Sequence, residues 1–179
     1  ITFRIYPHNM TNPLKDPASI EDLLLFRISR ILSMGGAPVI RLCEGQYGIT
    51  RREWRVIAFL ASGKRMLSSA LAEHIQQDRA RTSRAITSLV AKGLLQRHSV
   101  ENDKRKAEVE MTAKGHELYA KLFPQAVAIN AGLLSTLNDG ELTLLDRLLS
   151  AVQSQAQRAG TLDGLPKADR RRGRKAPLV

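Results

Sequence analysis

Apolar residues recur three and four positions apart over much of this chain, which is the pattern of helices that bury one face. A first helix is predicted from Ser19, where a hydroxyl cap precedes two acids. The segment Met34-Gly-Gly-Ala-Pro38 is expected to kink or break it, because proline cannot donate a backbone hydrogen bond. Thr50-Arg-Arg-Glu53 has the form of a capping box and predicts the start of another helix.

The middle of the chain combines helical spacing with two β-prone runs. A short helix from Ser69 to Ile75 leads through a polar turn into a helix from about Arg79 to Lys92, which Gly93 ends. The β-prone runs follow at 95–99 and 107–111, with a charged loop between them. This order predicts a mainly α fold with a small β-wing, namely a winged helix-turn-helix.

The second of these helices separates apolar from polar positions. Ala85, Ile86 and Leu89 recur at helical spacing and are expected to pack inward. The opposite side carries arginines and hydroxyls, which suit the DNA major groove because arginine can donate two hydrogen bonds to a guanine. The alternative is an ordinary solvated face. Together with Ser69, the candidate DNA-binding residues in this motif are Arg79, Arg81, Thr82, Ser83, Arg84, Thr87 and Ser88, although Thr82 also has inward spacing.

This region contains four short patterns, Asp78-Arg-Ala-Arg-Thr-Ser-Arg-Ala85, Leu89-x-x-x-Gly93-Leu94-Leu95, Asp103-Lys-Arg105 and Met111-Thr-x-x-Gly115. They resemble those of the MarR family of bacterial transcriptional regulators, and the likeness extends over roughly residues 20–159. The family usually has leucine where this chain has Met111.

The resemblance implies a homodimer of winged-helix lobes that binds a pseudo-palindromic operator in double-stranded DNA. It also implies that Arg105 at the wing tip enters a minor groove, whose negative potential attracts a guanidinium, and that Asp103 holds it in place. Lys104 and Lys106 are expected to contact phosphates. The alternative is an ordinary charged hairpin loop. Many family members are released from DNA by small ligands, commonly aromatic carboxylates, and some by thiol oxidation.

Both ends of the chain carry more apolar surface than a monomer needs. The first helix has apolar residues on more than one side, and the stripe that follows Asn138-Asp-Gly-Glu141 is too wide for a helix on a monomer surface. Intertwining with a second copy would bury both and would set two recognition helices about 34 Å apart. The alternative is that these helices pack on their own lobe.

The net charge of +11 on 179 residues favours a polyanionic partner. The segment 167–175 supplies +5 of this charge, and the rest of the chain is still cationic. No apolar run approaches the roughly 20 residues that cross a bilayer, and no signal-peptide pattern is seen, so no membrane partner is predicted. A single cysteine, Cys43, fits a reducing cytoplasm.

An effector site is suggested by two arginines in an otherwise apolar helix. Arg27 or Arg30 could meet a carboxylate with two parallel hydrogen bonds, and Trp54 could supply an apolar wall. These three are the candidate ligand-binding residues. The alternative roles for the arginines are an intersubunit salt bridge or exposure to solvent.

No catalytic constellation and no metal-ligand spacing occur, so we predict neither an enzyme nor a cofactor. The main hypothesis is a ligand-responsive repressor, and the alternative is a regulator without an effector or one controlled by thiol oxidation. The predicted organisation is an N-terminal extension (1–18), a first dimerisation region (19–49), the winged lobe (50–115), C-terminal dimerisation helices (116–160) and a basic tail (161–179).

Overall fold

The computed structural model describes residues 12–63, 65–75, 78–100 and 103–159, and it confirms a mainly helical fold with a small β-wing. A 3-10 turn precedes the first helix and a π-helical segment at Arg41–Gln46 follows it. The elements are α1 (Leu24–Ile40), α2 (Arg51–Leu60), β1 (Met66–Leu67), α3 (Ser68–His74), α4 (Arg79–Ala91), β2 (Leu95–Val100), β3 (Asp103–Met111), α5 (Ala113–Leu134) and α6 (Asp139–Ala159).

The chain divides into two units, residues 1–133 and 134–179. In the first unit, one hydrophobic core joins α2, α3, α4 and the sheet. Ile57 of α2, Leu71 of α3 and Val109 of β3 are fully buried in it. The inward face predicted for α4 is confirmed, since Ile86 and Leu89 are fully buried too. The core therefore fixes which face of α4 remains available.

A kink or a break was predicted in α1 at Met34–Pro38, and the break does not occur. The helix continues through Pro38 as far as Ile40, and the N–H of Arg41 donates to the carbonyls of Ala37 and Pro38. Proline removes one backbone hydrogen bond and then lets the pattern resume. The helical spacing on both sides of Met34–Pro38 thus belongs to one element.

Close packing at the two glycines explains why this stretch stays helical. A Cβ at Gly35 would lie 3.1 Å from the side chain of Leu133, and one at Gly36 would lie 2.9 Å from a guanidinium nitrogen of Arg51. Glycine is unfavourable in an isolated helix, but here it permits contacts with α2 and α5. Tertiary packing therefore overrides local propensity.

The wing strands are longer than predicted. The three strands form an antiparallel sheet in the order β1-β3-β2, and β2 pairs with β3 from Leu95 opposite Met111 to Ser99 opposite Ala107. The register shifts at Val100, which lies opposite Asp103. Residues 103–106 were expected in a loop, but their backbone belongs to β3, because cross-strand pairing extends the regular structure past the β-prone residues.

A compact junction joins the wing to α5 and explains the Thr-x-x-Gly pattern. The Thr112 hydroxyl donates to the carbonyl of Gly93 at 2.7 Å and accepts from the N–H of Gly115 at 3.1 Å. The N–H of Thr112 donates to the Leu94 carbonyl at 3.1 Å. A Cβ at Gly115 would overlap that same carbonyl oxygen, so this position requires glycine.

The second unit contains α6, whose first turn is capped as predicted. The N–H of Asn138 donates to Glu141 at 2.9 Å, and the N–H of Glu141 donates to Asn138 at 3.0 Å. Large apolar side chains on this helix are exposed to solvent, including Leu144, Leu148, Leu149 and Val152.

We expect Gly115→Ala to lower the free energy of unfolding by about 1–3 kcal/mol, because the added methyl group must displace the Leu94 carbonyl. Gly132→Ala is the matched control in the same helix, where a Cβ has open space. It should raise stability by about 0.5–1 kcal/mol. Urea unfolding followed by circular dichroism measures both, and equal effects of the two substitutions would contradict the close approach at Gly115.

Candidate DNA interface and neighbouring cavity

The N-terminus of α4 is fixed by its own cap. The Asp78 carboxylate accepts hydrogen bonds from the N–H groups of Ala80 and Arg81, both at 3.1 Å. This satisfies two of the donors that a helix N-terminus leaves free. The residues that follow are thereby held in helical register from the first turn.

The exposed face of α4 brings together most of the predicted recognition residues. The exposed members are Arg79, Arg81, Ser83, Arg84 and Thr87.

Several contacts orient these side chains. Arg79 pairs with Glu73 of α3, an exposed ion pair that contributes little to stability. Arg84 donates to the Ala80 carbonyl at 3.3 Å, and Arg97 of β2 donates to the Thr87 hydroxyl at 2.7 Å. The face thus presents guanidinium and hydroxyl groups, and which of them contact DNA stays a prediction.

Two of the predicted contacts are not on this face. Thr82 is only 1% exposed, and its hydroxyl donates to the Asp78 carbonyl at 3.1 Å, so the structure removes it from the DNA-facing set. Ser88 is half-buried and hydrogen-bonds with Glu53, which directs it toward α2. Ser69 is exposed in the first turn of α3. Helical spacing alone had already placed Thr82 inward.

An ion pair between a partly exposed lysine and a buried carboxylate connects the far end of α4 to the start of α2. Lys92, at the C-cap of α4, donates to both carboxylate oxygens of Glu53 at 2.9 Å and to the Gly48 carbonyl at 2.9 Å. Glu53 is 2% exposed and also completes the capping box with Thr50. Burial alone would raise the pKa of Glu53, but hydrogen bonds from Ser88, Thr50 and Lys92 and the charge of Lys92 lower it.

The base of the wing is held by a second carboxylate that the sequence interpretation missed. Glu110 of β3 accepts from Arg65 at 3.1 Å and bonds Gln96 and His98 of β2. The hydrogen bonds from Arg65 and Gln96 lower the pKa of Glu110 to about 2. The backbone of Asp103, Lys104, Arg105 and Lys106 lies in β3, whereas the predicted Asp103–Arg105 pair lies outside the described side chains.

A cavity of about 310 Å³ lies between α1, α2 and α5, and we call it the apolar cavity. Trp54 lines it, as the effector hypothesis requires. Arg27 and Arg30, which are exposed on α1, are not among the residues that line it. The residues that line it are Ile31, Leu32, Gly35, Gly36, Val39, Arg51, Trp54, Arg55 and Leu133.

Arg51 and Arg55 are the cations that line the apolar cavity together with Trp54. A signal in the sequence could have found them, since positions 51, 54 and 55 share one helical face once the capping box has set the start of α2. Trp54 stacks on Tyr119 of α5 with ring centroids 5.7 Å apart, which gives the cavity an aromatic wall.

The structure offers little support for thiol oxidation or metal binding. Cys43 is fully buried, and burial followed by the charge of Glu44 raises the pKa of its thiol, although Arg51 opposes this. Over the residues that the structure describes, no three His, Cys, Asp or Glu side chains are grouped as metal ligands. No helix in that part of the chain is long and apolar enough to cross a membrane.

Residues 47–106, which contain the winged helix-turn-helix, match the sequence model of the MarR family. No curated protein matches the sequence. Among solved structures, the chain is similar to Sco3205, a MarR family transcriptional regulator from Streptomyces coelicolor in complex with DNA. The identity is 20% and the TM-score 0.70, over 80% of this chain and 96% of that chain.

Two other solved structures have a similar fold. MepR of S. aureus, in a DNA complex, is 18% identical with a TM-score of 0.67, over 75% of this chain and 99% of its own. BpsR of Bordetella bronchiseptica, whose DNA binding is regulated by 6-hydroxynicotinic acid, is 20% identical with a TM-score of 0.69, over 76% and 97%. Residues 47–106 of this chain therefore match the MarR family model, and the chain has the fold of these solved regulators.

Acidification should lower the free energy of unfolding because it protonates Glu53. Because its pKa is lower in the folded state, its stabilising contribution is complete above the unfolded value of about 4.3 and is lost as the pH falls through the folded value. Urea midpoints measured from pH 7 to pH 3 should therefore fall more steeply for the wild type than for Glu53→Gln. Parallel curves for the two proteins would show that the carboxylate is not coupled to folding.

Proposed function

We propose that this protein is a homodimeric transcriptional repressor that binds a pseudo-palindromic operator and is released by a small aromatic carboxylate. The observation that carries the proposal is the exposed face of α4, where Arg81, Ser83 and Arg84 stand on a helix that is capped, buried on its other side and followed by a wing. Such a helix fits the major groove, where arginine recognises guanine with two hydrogen bonds. We place its action in the cytoplasm, with the DNA, and assign it no enzymatic activity.

Dimerisation is supported by apolar side chains that are exposed in the single chain. On α1, Leu25, Ile31 and Met34 are 77%, 63% and 66% exposed. Exposed apolar areas of this kind mark contact surfaces in soluble proteins. A second copy would cover them and would provide the second recognition helix that a palindromic site requires.

The apolar cavity supports the effector part of the proposal. It combines the Trp54 ring with the guanidinium groups of Arg51 and Arg55, and its volume of about 310 Å³ suits a ligand with one aromatic ring. Arginine binds a carboxylate through two parallel hydrogen bonds. BpsR, which is regulated by 6-hydroxynicotinic acid, is a precedent in the same fold.

Release from DNA requires that the effector favour one conformation. A ligand shifts an equilibrium only by its difference in affinity for the two states. The apolar cavity is bounded by α1 and α5 on one side and by α2 on the other, and α2 carries the Glu53 contact to α4. Occupancy of the cavity would thus change the spacing of the two recognition helices. Regulation through Cys43 is the weaker alternative, because a buried thiol with a raised pKa is a poor nucleophile.

Substitutions on α4 should change the sequence preference of DNA binding, whereas substitutions on the wing should lower the affinity for all DNA sequences. Arg81→Ala or Arg84→Ala should cost about 1–3 kcal/mol of binding and relax the sequence preference, because a base contact is lost. Lys104→Ala should weaken all sequences alike and reduce the salt slope by about one. Fluorescence anisotropy on DNA from the gene's own upstream region, against excess random competitor, measures both. Wild-type binding that random DNA abolishes would refute sequence-specific recognition by α4.

The effector site can be tested by measuring operator binding in the presence of a panel of aromatic carboxylates and the matching amides. We expect one carboxylate to weaken operator binding and its amide to have no effect. Arg55→Gln should reduce the affinity for that carboxylate by roughly 10-fold or more, since a charged hydrogen bond is lost. Arg30→Gln is the control, because Arg30 does not line the apolar cavity. A loss with Arg30→Gln and none with Arg55→Gln would instead restore the site expected on α1.

A further inference from the structure

A second cavity, of about 520 Å³, lies where the start of α2 meets the start of α4. We call it the arginine cavity. It is lined by Ile40, Glu44, Thr50, Arg51, Arg52, Arg55, Asp78 and Arg81.

The charge around the arginine cavity is strongly positive. Four guanidinium groups, those of Arg51, Arg52, Arg55 and Arg81, face two carboxylates, those of Glu44 and Asp78. The Asp78 carboxylate already caps α4. None of these four arginines takes part in the ion pairs formed among the described residues. Clustered cations that outnumber the carboxylates beside them, and that form no ion pair among the described residues, attract an anion from outside the chain.

The position of the cavity indicates which anion this is. Arg81 belongs to the exposed face of α4, and Arg51 and Arg52 are the first two residues of α2. A helix N-terminus carries partial positive charge and favours phosphate groups. A DNA duplex that takes α4 into its major groove runs its phosphates along both sides of that helix, so the nearest anion is a backbone phosphate.

Two arginines are shared between the arginine cavity and the apolar cavity. Arg51 and Arg55 line both, whereas Arg52 lines the arginine cavity and not the apolar one. The guanidinium of Arg51 also lies close to Gly36 of α1, on the side of the apolar cavity. The same two cations are therefore within reach of an anion in either cavity.

We propose that the arginine cavity binds a backbone phosphate of the DNA beside Arg81, and that a carboxylate in the apolar cavity competes with this phosphate for Arg51 and Arg55. The inference rests on the proposed function and adds an electrostatic route by which an effector weakens DNA binding. Arg52 belongs to the phosphate contact alone. Substitution of Arg52 should therefore weaken only the phosphate contact, whereas substitution of Arg55 should weaken the phosphate contact and also remove the effect of the carboxylate.

The test measures operator affinity against salt concentration by anisotropy, with benzoate as the carboxylate and benzamide as its neutral analogue. Trp54 is the only tryptophan of the chain, so its fluorescence reports binding in the apolar cavity. Arg52→Gln and Arg55→Gln should each lower the salt slope, by at most the value of about one that a single phosphate contact contributes, and both should keep the sequence preference. Arg41→Gln, an exposed arginine outside both cavities, should leave the slope unchanged.

Benzoate should weaken DNA binding by the wild type and by Arg52→Gln, and it should lose this effect with Arg55→Gln. An unchanged salt slope in Arg52→Gln would overturn the phosphate contact. A Trp54 signal with benzoate but no change in DNA affinity would overturn the competition. Failure of the wild type to prefer its operator over random DNA would instead refute the proposed function, and absence of any Trp54 signal at millimolar benzoate would refute its carboxylate site.

Discussion

The placement of α4 depends on one buried carboxylate. Glu53 closes the capping box of α2 and accepts both hydrogen bonds from Lys92 at the end of α4, so one side chain sets the start of one helix and the end of the other. A buried charge is costly unless it is paired and hydrogen-bonded, and Glu53 meets both conditions. The angle at which α4 presents its arginines follows from this contact and from the apolar core behind it.

Features determined by neighbouring residues were predictable from the sequence. The caps at Thr50, Thr112 and Asn138 use partners three residues away, and helical spacing identified the buried face of α4. The errors arose where distant segments meet. Pro38 was expected to interrupt α1, because nothing local shows that the adjoining glycines pack against Arg51 and Leu133. Arg27 and Arg30 were proposed as ligand contacts because they lie in an otherwise apolar helix. The three-dimensional arrangement places Arg51 and Arg55 around the apolar cavity, and which arginines bind a ligand stays a prediction.

Helix α2 contributes to each of the proposed functions. Three of its first five residues, Arg51, Arg52 and Arg55, line one or both cavities. Its third residue anchors α4, and its apolar side enters the core of the winged lobe. Packed side chains and hydrogen bonds of the kind that α2 makes are the contacts through which coupling between two sites would have to pass. In the functions proposed above, the DNA phosphate contact and the effector site thus share a single short helix of ten residues.

The junction at Gly115 gives α5 the properties of a lever. Its first turn is fixed to the backbone of Gly93 and Leu94, immediately after the recognition helix, and the helix then runs without interruption for 22 residues. At 1.5 Å per residue it is about 33 Å long, so a tilt of about 5° at the junction would displace its far end by about 3 Å. A tilt of α5 that is too small to disturb the wing would therefore move the other end of the helix by a distance comparable to that of a side-chain contact.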